Sequence, residues 1–248
     1  MARRATFIKR ERERNGNLLV LDAGNSLVGD WGPAVTTQGA STIESMNMMG
    51  YDAMALGQSD LGLGLDVIRQ RMAESRFPIL SANATISPTG ELIAAPFITR
   101  EIEGRHIAIV GLTGNYYPEP TPDFEIADPL DALQRLMPQV TALADIVIVL
   151  SSAGNPTDVK IAQTIPGIDL LIEGGPFQSF GHAQLDPTTN TLLVHADYPA
   201  RGHAGRNIGK ATLSFDANGI LVSNAWELIA LGPDIPDDPE MARWRATK

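Results

Sequence analysis

Residues 42 to 60 read TIESMNMMGYDAMALGQSD. Thr42 to Met49 has the pattern of a helix, and the apolar run Ala53 to Leu56 reads as a strand that opens into Gly57-Gln58-Ser59-Asp60. Working toward the C-terminus, Leu65 to Ser75 is again helical and Pro78 to Ser81 again a strand, which makes a βαβ rhythm. Working toward the N-terminus, Leu18 to Leu21 is a continuous apolar run ended by Asp22-Ala23-Gly24-Asn25, the profile of a buried strand that delivers a loop at its C-terminal end. Loops in that position are where α/β proteins place their sites. Before it, Arg3 to Arg14 reads as a charged helix with a small apolar face of Ala5, Phe7 and Ile8, a solvated helix rather than a binding patch.

Beyond residue 81 the same alternation becomes mixed. Leu92 to Arg100 and Arg105 to Leu112 are expected as antiparallel neighbours around Glu103-Gly104, and the proline-rich Tyr117 to Pro129 as a long surface loop. A helix over Pro129 to Ala144 leads to the strand Ile146 to Leu150 and the loop Ser151-Ser152-Ala153-Gly154. Asp158 to Thr164 is helical, and Ile168 to Ile172 is a strand ending in Glu173-Gly174-Gly175-Pro176-Phe177. The residues up to Leu231 read as short strands, and 232–248, rich in proline and aspartate, as a linker-like tail or frayed end. The expected division is therefore one domain over 1–231 followed by that tail.

With 248 residues, 44% of them hydrophobic, the chain can bury a core without covalent staples. It has no cysteine, so thiolate ligands, thiol nucleophiles and disulfides are excluded and chemistry falls to oxygen and imidazole groups. The net charge is -10 although Met1 to Arg14 holds six basic residues, which argues against nucleic acid as a partner. Asn15-Gly16-Asn17 stands where a signal peptide would need an apolar stretch, and no run of 18 apolar residues follows. A soluble chain without a membrane span or an export signal of its own is the expectation, with its compartment open.

The four loops at Asp22 to Asn25, Gly57 to Asp60, Ser151 to Gly154 and Glu173 to Phe177 can converge on one sheet edge. Five segments lie around and between them. These are ARRATFIKR (2–10), LVLDAG (19–24), MNMMGYDAMALG (46–57), FPILSAN (77–83) and PGIDLLI (166–172). In this order they resemble the catalytic domain of the 5′-nucleotidase branch of the calcineurin-like metallophosphoesterases, from about Arg3 to Leu231. The resemblance implies a four-layer αββα sandwich of two mixed β-sheets flanked by helices. It also implies two divalent metal ions that activate a water and clamp phosphate oxygens, and, in many relatives, a periplasmic or extracellular location. A phosphomonoester or nucleotide would be the substrate.

The positions where that family holds its metals read differently here. Its first Asp-x-His motif would precede Met1. Its bridging aspartate corresponds to Asn25, its Asn-His-Glu to Gln58, Ser59 and Asp60, and its later histidine to Ser152. Its Gly-His-x-His loop reads Gly174-Gly175-Pro176-Phe177. A vestigial pocket of Asn25, Gln58, Ser59, Asp60, Ser152, Gly175 and Phe177 is the expectation, with Asp22 and Asp60 as weak metal candidates and no bound cofactor. Asp22 reads more simply as a loop hydrogen-bond acceptor. His106, His182, His195 and His203 lie outside the matched motifs.

Other patterns carry less. Gly57-Gln58-Ser59-Asp60-Leu61-Gly62 is one residue too long for a nucleophile elbow at Ser59. Gly62-Leu63-Gly64 and Gly111-Leu112-Thr113-Gly114 read as tight turns, not a dinucleotide fingerprint. Gly174-Gly175 can present amides to an anion or form a permissive turn. Two functions follow: an inactive pseudophosphatase acting as a binding or structural subunit of an assembly with a protein partner, or a metal-dependent phosphomonoesterase or nucleotidase using non-standard ligands.

Overall fold

The computed structural model describes residues 1–29, 31–116, 122–175, 183–196, 206–216 and 219–248. The chain begins α1 (Ala2–Arg14), β1 (Leu21–Asp22), α2 (Gly32–Thr36), α3 (Ala40–Met49), β2 (Ala53–Ala55), α4 (Gln58–Leu61), α5 (Leu65–Glu74) and β3 (Ile79–Leu80). It continues through β4 (Ala84–Ile86), β5 (Glu91–Leu92), β6 (Phe97–Ile102), β7 (Arg105–Leu112), β8 (Phe124–Ile126), α6 (Pro129–Thr141) and β9 (Ile146–Ser151). The last elements are α7 (Asn155–Thr164), β10 (Leu170–Glu173), β11 (Ala183–Leu185), β12 (Leu192–His195), β13 (Asn207–Phe215), β14 (Leu221–Ala230) and α8 (Pro239–Ala246).

The alternation of β9 shows how these elements layer. Ile146, Ile148 and Leu150 point into one apolar cluster and Val147 and Val149 into another, so both faces of the strand are covered. β9 lies inside a six-stranded mixed sheet of order β11-β12-β10-β9-β7-β6. On its outer face α6 and α7 contribute Leu133, Val140 and Ile161. Its inner face meets Ala53, Ala55 and Leu80 of the parallel sheet β1-β2-β3, together with Ala211, Leu213 and Trp226 of the β13–β14 hairpin. The far side of the parallel sheet is covered by Ile8 of α1, Ile43 and Met46 of α3 and Ile68 of α5. The result is a four-layer αββα sandwich.

Several local expectations change in three dimensions. Gly57 to Asp60 is not an open loop: Gln58–Leu61 is a helical turn in which Asp60 and Leu61 donate their N–H groups to Gly57 O. Within the stretch expected as a surface loop, 117–121 lie outside the described residues. Phe124 is 1% exposed and its strand pairs with β4, because its ring fills the cluster behind β4. The last sheet residues form not short strands but a long hairpin, paired from Asn207↔Ala230 to Phe215↔Leu221.

The tail is neither frayed nor free. Asp238 caps α8 by accepting from Met241 N at 2.8 Å and pairs with Lys9 Nζ at 2.6 Å, while Met241 is buried in the α1 cluster. Pro239 starts a helix, since a proline at the first turn removes a donor that has no partner there anyway.

Candidate functional site

Strands β1, β2, β9 and β10 run parallel to their neighbours, so their C-terminal ends share one edge of the sandwich. The four loops expected to converge do so, and a fifth joins them from the end of β7. Asn25 stands at the centre. It adopts φ of 60°, a left-handed conformation that asparagine tolerates better than most residues. Its Nδ2 donates to Gly174 O at 3.3 Å, across 149 positions of sequence. Its Oδ1 accepts from Ser59 N at 3.0 Å and from Tyr116 Oη at 3.3 Å. One amide thereby ties together the ends of β1, β2, β7 and β10.

Asp60 is fully buried and both of its oxygens are engaged. Oδ2 accepts from Asn25 N and Gly57 N, and Oδ1 from Leu27 N, all at 2.9 Å. Burial pushes its carboxyl up to about 7, against the pull of these three amides, and the neighbouring Asp22 charge adds to the rise. Asp22 Oδ1 accepts from Gly24 N at 3.0 Å and from Ser26 Oγ at 2.8 Å, as a loop-shaping aspartate does. Its carboxyl is also raised, by burial first.

The remaining pocket residues are committed in the same way. Gln58 Oε1 accepts from Tyr116 N at 2.9 Å. Ser152 Oγ accepts from Gly114 N at 2.9 Å and donates to Leu112 O at 3.3 Å. Two glycines allow the loops to close this tightly. A Cβ on Gly57 would lie 2.2 Å from Asn25 Oδ1, and one on Gly175 would lie 2.4 Å from Gly154 N. Phe177, His182 and His203 lie outside the described residues.

Behind the edge lies a buried polar group that the residue pattern did not single out. Ser151 Oγ donates to Asp158 Oδ1 at 2.5 Å, and burial holds the Asp158 carboxyl well above the usual range. Glu173 Oε1 accepts from Asn155 Nδ2 at 3.0 Å, and the Glu173 carbonyl lies 2.9 Å from His195 Nδ1. Tyr116 was missed as well. The available signal was its place just after a strand parallel to the site strands, where Gly111 to Gly114 had read only as a tight turn.

Among the described residues, no group of three or more histidines, aspartates and glutamates is placed to hold a metal ion. A two-metal centre needs a carboxylate shared between the ions. Asn25 offers an amide already bonded at both ends, and Asp60 an acid whose oxygens face backbone donors. These side chains do not fit the group.

No family model matches the chain. It is 28% identical over 265 residues to a snake venom 5′-nucleotidase from Gloydius brevicauda, covering 97% of this chain and 44% of that protein. Among solved structures, a 5′-nucleotidase precursor from Thermus thermophilus superposes with a TM-score of 0.87 at 25% identity, covering 99% of this chain and 52% of that one. The calcineurin-like phosphoesterase YfkN from Bacillus subtilis superposes with a TM-score of 0.79 at 22% identity, covering 100% and 87%, and supports the fold alone. The chain spans about half the length of the curated relatives it matches.

These similarities overturn one expectation. The reading that no cofactor belongs with this chain conflicts with its relatives, since 5′-nucleotidases and calcineurin-like phosphoesterases use divalent metals. The error lay in inferring the cofactor status of this chain from the residue types at single positions.

Proposed function

We propose, from the premise that this chain is a relative of the 5′-nucleotidases built on the calcineurin-like phosphoesterase fold, that it is a pseudophosphatase acting as a binding or structural module. The observation that carries this reading is the commitment of Asn25 and Asp60. In a two-metal hydrolase the corresponding groups must turn their lone pairs toward ions and a reacting water. Here Asn25 Oδ1 receives Ser59 and Tyr116, and Asp60 receives three amides. The vestigial pocket is Asn25, Gln58, Ser59, Asp60, Ser152 and Gly175, in which the side chains of Asn25, Gln58, Asp60 and Ser152 and the Ser59 backbone amide serve to lock five loops together.

A second reading has its own support. Its support is the relatives, which are metal users; Asp22, Glu173 and His195 line one cavity with the loop edge but are not grouped to hold a metal as they stand. In that reading the chain is a phosphomonoesterase or nucleotidase with ligands other than those at the family positions.

The test combines elemental analysis after incubation with manganese, zinc or calcium with hydrolysis of a generic phosphomonoester and a panel of nucleotides. The module reading expects turnover no higher than that of the buffer with metal. Metal-dependent turnover above that level, lost on Asp22→Asn or Glu173→Gln, overturns it in favour of the second reading.

A further inference from the structure

The chain contains two Asn-Gly steps, Asn15-Gly16 and Asn218-Gly219, and the fold holds their glycines differently. Asn15 is the first residue beyond α1, with φ of -134° and ψ of 109°, and its N–H donates to Glu11 O at 2.9 Å. That bond holds the residue on its N-terminal side only. Asn15, Gly16 and Asn17 are all exposed. Apart from its chain neighbours, a Cβ on Gly16 would meet no heavy atom within 4 Å, and among the described residues the Gly16 N–H has no backbone partner. Gly219 stands in the turn of the β13–β14 hairpin, where its N–H donates to Asp216 O at 3.1 Å and its φ is 82°. The next amide, Ile220 N, donates to Asp216 Oδ1 at 2.9 Å. Asn218 itself lies outside the described residues.

An asparagine followed by glycine is a reactive pair when the backbone is free to turn. The glycine nitrogen can reach the asparagine side-chain carbonyl carbon and close a five-membered ring, and without a Cβ the glycine does not block the approach. Ring closure needs rotation about the asparagine Cα–C bond and a nitrogen that is not already committed as a donor. A hydrogen-bonded turn denies both, which is the situation of Gly219. At Asn15-Gly16 both conditions are met, because the helix ends on the Asn15 N–H and nothing packs on the glycine that follows.

We propose that Asn15-Gly16 is a site of spontaneous covalent modification, at which the asparagine becomes a mixture of isoaspartate and aspartate while the hairpin turn protects Asn218-Gly219. The Gly16 nitrogen gives its proton to hydroxide and attacks Asn15 Cγ. The Cγ–Nδ2 bond breaks, Nδ2 takes a proton from water and leaves as ammonia, and hydroxide is regenerated. Water then opens the cyclic imide at either carbonyl, and opening at the main-chain carbonyl leaves the chain running through Cγ, one carbon longer. Either product adds a negative charge at the C-terminal end of α1, where an anion is disfavoured, and Arg12 and Arg14 in the last turn offset it. The extra atom falls in the connection 15–20 between α1 and β1. Both ends of that connection are held to one carboxylate, since Asp52 Oδ2 accepts from Arg12 Nη2 at 3.3 Å and from Val20 N at 2.8 Å. The exposed loop therefore absorbs the change, and the strand that carries Asp22 and Asn25 keeps its place. The inference is independent of the module reading above.

The test holds the full chain at pH 8 and 37 °C, folded and in parallel in concentrated guanidinium chloride. Both steps are followed by mass spectrometry of a peptide map and by enzymatic methylation of isoaspartate. In the folded chain Asn15 should convert on the order of tenfold faster than Asn218, the factor that breaking one hydrogen bond imposes, and in denaturant the two should convert at similar rates. Gly16→Ala, whose methyl crowds the attacking nitrogen, should slow conversion at Asn15 by on the order of tenfold or more and leave Asn218 unchanged. Conversion of Asn218 as fast as Asn15 in the folded chain overturns the proposal, as does an Asn15 that stays intact while the denatured sample converts. A difference that persists in denaturant overturns it too, because local sequence rather than the fold would then account for it. An unchanged rate in Gly16→Ala, or product without isoaspartate, would mean direct hydrolysis of the side chain and would end the ring-closure account.

Discussion

Replacing Asp60 by asparagine tests whether burial outweighs three amide donors at the centre of the loop edge. In the folded chain this carboxyl is raised from about 3.8 to about 7. An acid raised on folding binds more protons folded than unfolded, so its stabilising contribution is complete below about pH 4 and is lost as pH rises through 7. The shift is worth about 4 kcal/mol in all, more than half of it between pH 5 and 8. In Asp60→Asn the side-chain oxygen can still serve Asn25 N and Gly57 N, but the amide nitrogen then confronts Leu27 N–H, leaving a buried donor unpaired at a cost of about 1–3 kcal/mol. The variant should therefore be clearly less stable than the parent at pH 5, and the gap should narrow by about 2–3 kcal/mol, to near zero or beyond, at pH 8. Urea unfolding of both proteins at pH 5, 6, 7 and 8 measures it. Asp158 and Asp169, also raised by burial, are present in both proteins and cancel in the difference. A gap that stays constant across the range would mean that the three amides keep Asp60 ionised, and the account of its burial would be refuted.

Gly57→Ala places a methyl 2.2 Å from Asn25 Oδ1, and should cost about 1–3 kcal/mol by denaturant unfolding while leaving the slope with denaturant unchanged. Asp238→Ala removes the α8 cap and the Lys9 pair, and should cost about 1–2 kcal/mol, with the tail amides exchanging faster than the rest of the chain. Phe124→Ala should cost about 3–5 kcal/mol, as a core deletion does, since the ring is 1% exposed. A loss under about 0.5 kcal/mol, the range of ordinary surface substitutions, would return that segment to the surface.

What the sequence determined by itself is what depends on neighbours along the chain. The helices over residues 42–49 and 65–75 and the short apolar run at 53–56, bounded by Gly50 and Gly57, are local patterns, and their order implies parallel strands and loops gathered at one edge. That Asn25, Gln58 and Ser152 offer amides and a hydroxyl rather than carboxylates or imidazoles was equally legible, because side-chain chemistry is written in the residue type. What those residues do instead was decided by the tertiary structure alone. Asn25 bonds Gly174 across 149 positions, and Tyr116 reaches Asn25 across 91. The proline-rich tail docks because Asp238 meets Lys9, 229 positions away. No local pattern records such distances.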